Sequence, residues 1–326
     1  MNILRSAAVA LLALAGPALA APSGALTVYT SQPQEQMAKV VEAFNKDYPE
    51  VKVEVFRTGT TELMTKLQAE FAAGATPADV LLIADAVAMT QLKDDGRLMA
   101  WPEAPTAGIP EALIDPDKTF FGTKLITTGI VYNTDLVKTP PQGWDDLRAP
   151  EVARQLIMPS PLYSGAAVIH VGTMVQQPGY GWGYYEDLAK NGAVAGQGNG
   201  TVIEAVARGE KAYGIIIEYM AMNAQAKGSP VGFVWPAEGV SAITQPVAIV
   251  KGTANPEAAK AFVAWQLSRA AQEQSVTQGY FPVVEGVAPP AGYPALESLK
   301  ILPLDAAKLR AEDKANKEKF ADLFGG

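Results

Sequence analysis

Leu26-Thr27-Val28-Tyr29-Thr30 alternates apolar and polar residues as a half-buried strand does, and Ser31-Gln32-Pro33 ends it. Met37, Val40, Val41 and Phe44 then recur at helical spacing in a segment that stops near Asp47-Tyr48-Pro49. Val51 to Phe56 is a second alternating strand. Leu63, Met64, Leu67 and Phe71 mark a second amphipathic helix, and Val80 to Ile83 is a wholly apolar third strand. Strand, helix, strand, helix, strand is the order that builds a parallel sheet with helices on both faces. In such open α/β sheets a ligand sits beyond the carboxyl ends of the strands, where this chain carries Ser31, Thr60, Thr61 and Asp85.

From Ile126 the pattern changes. Thr127-Thr128-Gly129-Ile130-Val131-Tyr132-Asn133 is an extended run that reads as a crossover into a second domain. There Leu156-Ile157-Met158 is a strand, and Tyr213 to Ile217 is an apolar strand ending at Glu218-Tyr219. The chain returns along Ile243 to Val250. Helical segments follow from Pro256 to Leu267 and from Ser268 to Gln278, then a loop from Tyr280 to Pro294 and a charged amphipathic helix from Asp305 to Phe324. The expected organisation is α/β, with residues 21–128 and about 246–300 in domain one and 129–245 in domain two. Residues 301–326 are left open between the two.

The 326 residues are 48% apolar and 18% charged, the composition of a packed globular protein. A net charge of −8 argues against nucleic acid as a partner, and no anionic membrane is expected either. Arg5, the apolar run Ala7 to Ala15 and the small-residue site Ala18-Leu19-Ala20 read as a cleavable secretory signal over residues 1–20, which addresses the mature chain to the periplasm. There is no cysteine, so no disulfide staples the fold and no lipid is attached through one.

Three helix starts stand out: Thr58 to Glu62, Ser164 to Ala167, and Asn199 to Thr201. In each, a hydroxyl or amide side chain stands next to a glycine, so the unpaired N–H groups and positive pole of the helix are open to close approach. Any one of them taken alone is an ordinary capped helix. Converging on an interdomain cleft, they would form a claw around one oxyanion, and charge-assisted hydrogen bonds contribute roughly 1.5–3 kcal/mol each. The expected ligand-binding residues are therefore Ser31, Thr60, Thr61, Ser164, Gly165, Ala166, Asn199 and Thr201. Asp85 and Glu218 are placed to take an ammonium on the same ligand, or else to cap helices or pair with Arg57. Tyr219 either donates its hydroxyl or packs. The single histidine, His170, reads as a core residue, and Tyr184-Tyr185 as a structural pair in an amphipathic helix. With no cysteine and one histidine there is no zinc constellation, and no nucleophile–base set or phosphate-binding Lys motif is present, so no metal, cofactor or catalytic residue is expected.

These residues, in this order, resemble the periplasmic solute-binding proteins of ABC importers, in the cluster that holds ferric-ion, 2-aminoethylphosphonate and hexose-phosphate binders. The likeness is carried by Leu26 to Gln32, Pro77-Ala78-Asp79-Val80, Ser164-Gly165-Ala166, Asn199 with Glu204-Ala205-Val206, Gly209-Glu210, Pro246 to Lys251 and Asn255 to Lys260. The resemblance implies a type II venus-flytrap fold of two hinge-linked α/β domains. It also implies a monomer that delivers a small anionic solute to an inner-membrane ABC permease. In ferric binders the matching Ser-Gly-Ala and Asn hold a synergistic anion beside the iron. Here the histidine position after the first strand is Pro33, the adjacent tyrosines have become Tyr219-Met220, and the carboxylate is kept approximately as Asp85. One tyrosine is thin provision for iron(III), which wants several anionic oxygens. The expected ligand is therefore a small phosphonate or phosphate ester, 2-aminoethylphosphonate first. Ferric binding with a synergistic anion is the alternative, and a phosphate-ester hydrolase a remote one.

Overall fold

The computed structural model describes residues 22–84 and 86–325; the expected signal segment and Asp85 lie outside the described residues. In chain order the elements are β1 (Gly24–Thr30), α1 (Gln34–Asp47), β2 (Val51–Arg57), α2 (Thr60–Ala72), β3 (Val80–Leu82), α3 (Ala86–Asp94) and β4 (Phe120–Asn133). Then come α4 (Pro150–Ala153), β5 (Leu156–Pro159), α5 (Gly165–Gln176), α6 (Gly181–Lys190), β6 (Val194–Gly196), α7 (Asn199–Ala207) and β7 (Tyr213–Ile217). The chain closes with α8 (Glu218–Ala226), β8 (Val231–Val234), β9 (Ser241–Ile249), α9 (Pro256–Gln266), α10 (Arg269–Thr277), β10 (Phe281–Pro282) and α11 (Ala306–Phe324).

The opening strands behave as their sequence dictates. β1 pairs parallel with both β2 and β3. β3 lies between β1 and β9, and all three of its side chains are fully buried, which is why it shows no alternation. β2 is the edge strand of the order β2-β1-β3-β9-β4-β7-β5-β6, and it keeps Lys52 and Glu54 exposed.

Two long strands join the two domains of the fold. β4 starts beside β9 and finishes beside β7 and β8, while β9 runs back antiparallel along it. Their register shifts between Gly122 and Leu125. Pro246 faces Gly122 there, and the irregularity accommodates a residue with no N–H to give to the ladder.

Each lobe has its own core. Leu26, Val28, Phe44, Phe262 and Phe281 centre one, and Trp144, Met174, Tyr184, Tyr185 and Leu188 the other. Between them, Ile126, Ile217, Ile243, Tyr219 and Tyr280 cluster where the lobes meet. His170 is buried in the second lobe, with Nδ1 3.0 Å from Ser241 Oγ and its ring 4.8 Å from Trp144, and burial pushes its pKa down to about 3.

The C-terminal helix, whose place the sequence left open, packs on the second lobe. Leu309 of α11 lies over Gly172 of α5, and the buried Phe320 ring meets Tyr185 of α6 at 6.1 Å. Arg310 reaches from the same helix to an ion pair with Asp94 of α3, in the other lobe. Removing the Phe320 ring leaves a cavity between α11 and α6. Phe320→Ala is expected to lower unfolding free energy by roughly 3–5 kcal/mol, read from urea midpoints with an unchanged slope.

Candidate functional site

A cleft of about 470 Å³ opens between the lobes. Its walls are helix starts. Thr58, Gly59, Thr60 and Glu62 come from α2, Ser164, Gly165 and Ala166 from α5, and Gln197 to Thr201 from α7, with Ser31 from the end of β1. Of the residues expected from the sequence, Ser31, Thr60, Ser164, Gly165, Ala166, Asn199, Thr201 and Tyr219 thus stand around one space. Thr61 sits at its margin, with Oγ1 3.4 Å from the Pro161 carbonyl across the lobes. Local chemistry fixes the α5 start. Ser164 Oγ accepts from the Ala167 N–H at 3.3 Å and from Asn199 Nδ2 at 3.1 Å, while Asn199 Oδ1 accepts from the Ile217 N–H at 3.4 Å. Having accepted twice, the Ser164 hydroxyl keeps its own proton to donate. The Gly165 and Ala166 N–H groups meet no acceptor among the described residues.

The floor holds what the sequence did not announce. Tyr280, which the sequence places at the start of a loop, lies against Tyr219 with ring centroids 4.4 Å apart, and both line the cleft. Burial pushes the Tyr219 phenol up to about 12, with the Tyr280 hydroxyl and the Arg57 charge pulling the other way. Burial raises Tyr280 well above the usual phenol range, and its hydroxyl donates to Gln36 Oε1. Tyr280 directly precedes β10, whose pairing with Leu125 and Lys124 of β4 helps bring it here from far along the chain, so no local pattern could have marked it.

Glu218 does not line the cleft. It starts α8 fully buried, with Oε2 accepting the Thr127 N–H of β4 at 2.6 Å and Oε1 without a partner among the described residues. Its carboxyl ties the crossing strand to α8, which corrects the expectation that it faces a ligand ammonium. Among the described residues no group of three or more His, Cys, Asp or Glu side chains is arranged to hold a metal ion.

Residues 30–273 match the profile of the bacterial extracellular solute-binding protein family. The chain is 27% identical to a Serratia marcescens protein named Fe(3+)-binding periplasmic protein, over 96% of this chain and 93% of that one. Its structure is similar to that of the periplasmic binding protein AfuA from Actinobacillus pleuropneumoniae, with exogenous fructose-6-phosphate bound. There the TM-score is 0.84 and the identity 25%, over 93% of this chain and 99% of the other. Iron-bound HitA from Pseudomonas aeruginosa shares the fold at a TM-score of 0.79 and 21% identity, over 92% and 99% of the two chains.

The phosphonate or phosphate ester expected from the sequence is overturned. The relative matched along nearly the whole chain is named a Fe(3+)-binding periplasmic protein, and iron-bound HitA and the ferric-binding proteins of Campylobacter jejuni and Pasteurella haemolytica share the fold. That expectation rests on the kept anion-binding residues and on one tyrosine with no imidazole beside it; Tyr280 supplies a second phenol to the cleft.

Glu218 gives the region a pH signature. Burial raises its pKa from 4.5 to about 8, so between those values the folded chain keeps a proton that the unfolded chain releases. Stability from this group is present below pH 4.5 and is lost as pH rises toward 8. Glu218→Gln keeps an acceptor for the Thr127 N–H and has nothing to titrate. Relative to this variant, the parent is expected to lose on the order of a few kcal/mol of unfolding free energy between pH 5 and 8, measured by urea unfolding at each pH.

Proposed function

Because the chain belongs to the family of bacterial extracellular solute-binding proteins, we propose that it takes iron(III), together with an exogenous anion, into this cleft in the periplasm and delivers it to an inner-membrane ABC permease. The Tyr219–Tyr280 pair carries this reading. Iron(III) is a hard cation that favours anionic oxygen, and two phenols side by side in the floor of the cleft, one from each body, are such a provision. The identity to a Fe(3+)-binding periplasmic protein along most of the chain supports the same solute.

Charge balance assigns the anion its place. A trivalent cation and two phenolates leave one net positive charge in a partly buried site, where uncompensated charge is expensive. With no carboxylate–histidine cluster among the described residues, the remaining ligands come from an exogenous anion and water. Ser164, Gly165, Ala166, Asn199 and Thr201 on one side and Ser31, Thr60 and Thr61 on the other offer the donors that hold the anion. Residues 21–128 with 246–300, and 129–245 with 301–326, are the two bodies that close on it. No reaction follows binding, so the site needs no nucleophile.

Both phenols are protonated in the empty protein, since burial raises them, so iron must displace their protons. Affinity is expected to rise with pH, by about tenfold per pH unit for each proton released. Titration with ferric citrate is expected to produce a visible tyrosinate-to-iron absorption band and to raise Tm. Tyr219→Phe and Tyr280→Phe should each lose or strongly shift that band. A colourless parent that ferric citrate does not stabilise would refute the assignment.

A further inference from the structure

Gly59 and Gly165 line the cleft from opposite lobes, each close to backbone of the other. A Cβ built on Gly165 would lie 2.5 Å from the Ala84 carbonyl oxygen and 2.9 Å from Thr60 Oγ1, all across the interlobe gap. A Cβ on Gly59 would lie 2.6 Å from the carbonyl oxygen of Tyr163, across the same gap in the other direction. Two of these three neighbours are backbone atoms, which no side-chain rotation moves away. The backbone itself asks for neither glycine. Gly165 opens a right-handed helix and Gly59 has φ −63° and ψ 153°, a conformation open to alanine. Gly198 and Gly200 line the same cleft at the start of α7, and a Cβ on either would meet nothing within 4 Å. The tight approach therefore belongs to the α2–α5 meeting and not to glycine-rich helix starts in general.

We infer that Gly59 and Gly165 are positioning residues for domain closure: their missing side chains let the starts of α2 and α5 come into backbone contact, and this contact sets how far the two lobes close. A methyl group at either position holds the lobes roughly 1 Å further apart at that point, because ordinary contact between a carbon and a carbonyl oxygen begins near 3.4 Å. The hydrogen bond from Thr61 Oγ1 to the Pro161 carbonyl, already 3.4 Å long, then breaks. Donors from the α2 side no longer reach a solute seated on α5. The inference concerns the closed contact and stands whichever solute the cleft takes.

The chain has no cysteine, so spin labels go only where they are introduced. Lys52→Cys on β2 and Lys190→Cys on α6 are exposed and stand one on each lobe. Pulsed dipolar EPR on this pair, with and without ferric citrate, reads the closed distance directly. The parent is expected to populate the distance of this structure, and Gly165→Ala and Gly59→Ala to lose that population to longer distances. Gly183→Ala, in α6 where a Cβ meets nothing, should match the parent. Unchanged circular dichroism of the empty variants shows that the lobes still fold; alanine is favourable at Gly165, the first residue inside α5, whereas at Gly59, the N-cap of α2, it lowers Tm slightly. The inference is overturned if either alanine variant reaches the parent's closed distance, or if the parent never reaches it. Closed parent and open variants, with no response to ferric citrate, would uphold the closure role while refuting iron as the solute.

Discussion

Three helix N-termini meeting in one cleft is the constraint on which the site depends. Each carries unpaired N–H groups and about half a positive charge, and bringing like poles together is unfavourable unless something negative lies among them. The starts of α2, α5 and α7 all reach the same space, and those of α2 and α5 touch across the lobes. The protein as a whole carries −8, so a negatively charged guest gains nothing from the overall field. What attracts it is local: oriented backbone dipoles and the Ser164 hydroxyl, locked in place by Asn199.

The opposite wall is organised by buried polar groups. Lys124 of β4 is almost fully buried, its Nζ 3.0 Å from Gln32 Oε1 and 4.4 Å from the centre of the Tyr280 ring. Gln32 Nε2 donates in turn to Gln278 Oε1 at 3.0 Å, Gln278 Nε2 to the Gln36 carbonyl at 2.7 Å, and the Tyr280 hydroxyl to Gln36 Oε1. This chain of amides fixes Tyr280 between α1, β4 and the end of α10. Burial pushes the Lys124 amine down to about 7, which limits the charge placed under the aromatic floor. A network whose members are satisfied specifies one arrangement, and here that arrangement aligns Tyr280 with Tyr219.

The periodic elements were legible from sequence because period and burial agree in them. β1, β2 and β3 with α1 and α2 follow from alternation and helical spacing, and the three helix starts follow from small polar residues beside glycine. The four-residue β8 carries too few residues for a period to declare itself. Tyr280 and Lys124 escaped for a different reason. Their place in the site is set by β10 pairing with β4, a contact between segments more than 150 residues apart whose register no local pattern encodes. Glu218 was legible as a carboxylate at a strand end. Its direction was not, because the Thr127 N–H that captures it belongs to a strand of the hinge.

The hinge strands and the cleft are parts of one device. β4 and β9 run through both lobes, and their residues supply the floor: Ile126 and Ile243 under the tyrosines, Thr127 holding Glu218, Lys124 holding Gln32. A bend of these strands therefore shifts Tyr219, α5 and α7 relative to Tyr280 and α2 while leaving each lobe's core intact. The β4–β9 ladder is interrupted at the register shift near Pro246, where β10 pairs with Lys124 and Leu125 and Gln272 holds the Thr123 carbonyl instead. Binding and closing are coupled through the same backbone, and a solute that satisfies both walls at once favours the geometry in which α2 meets α5.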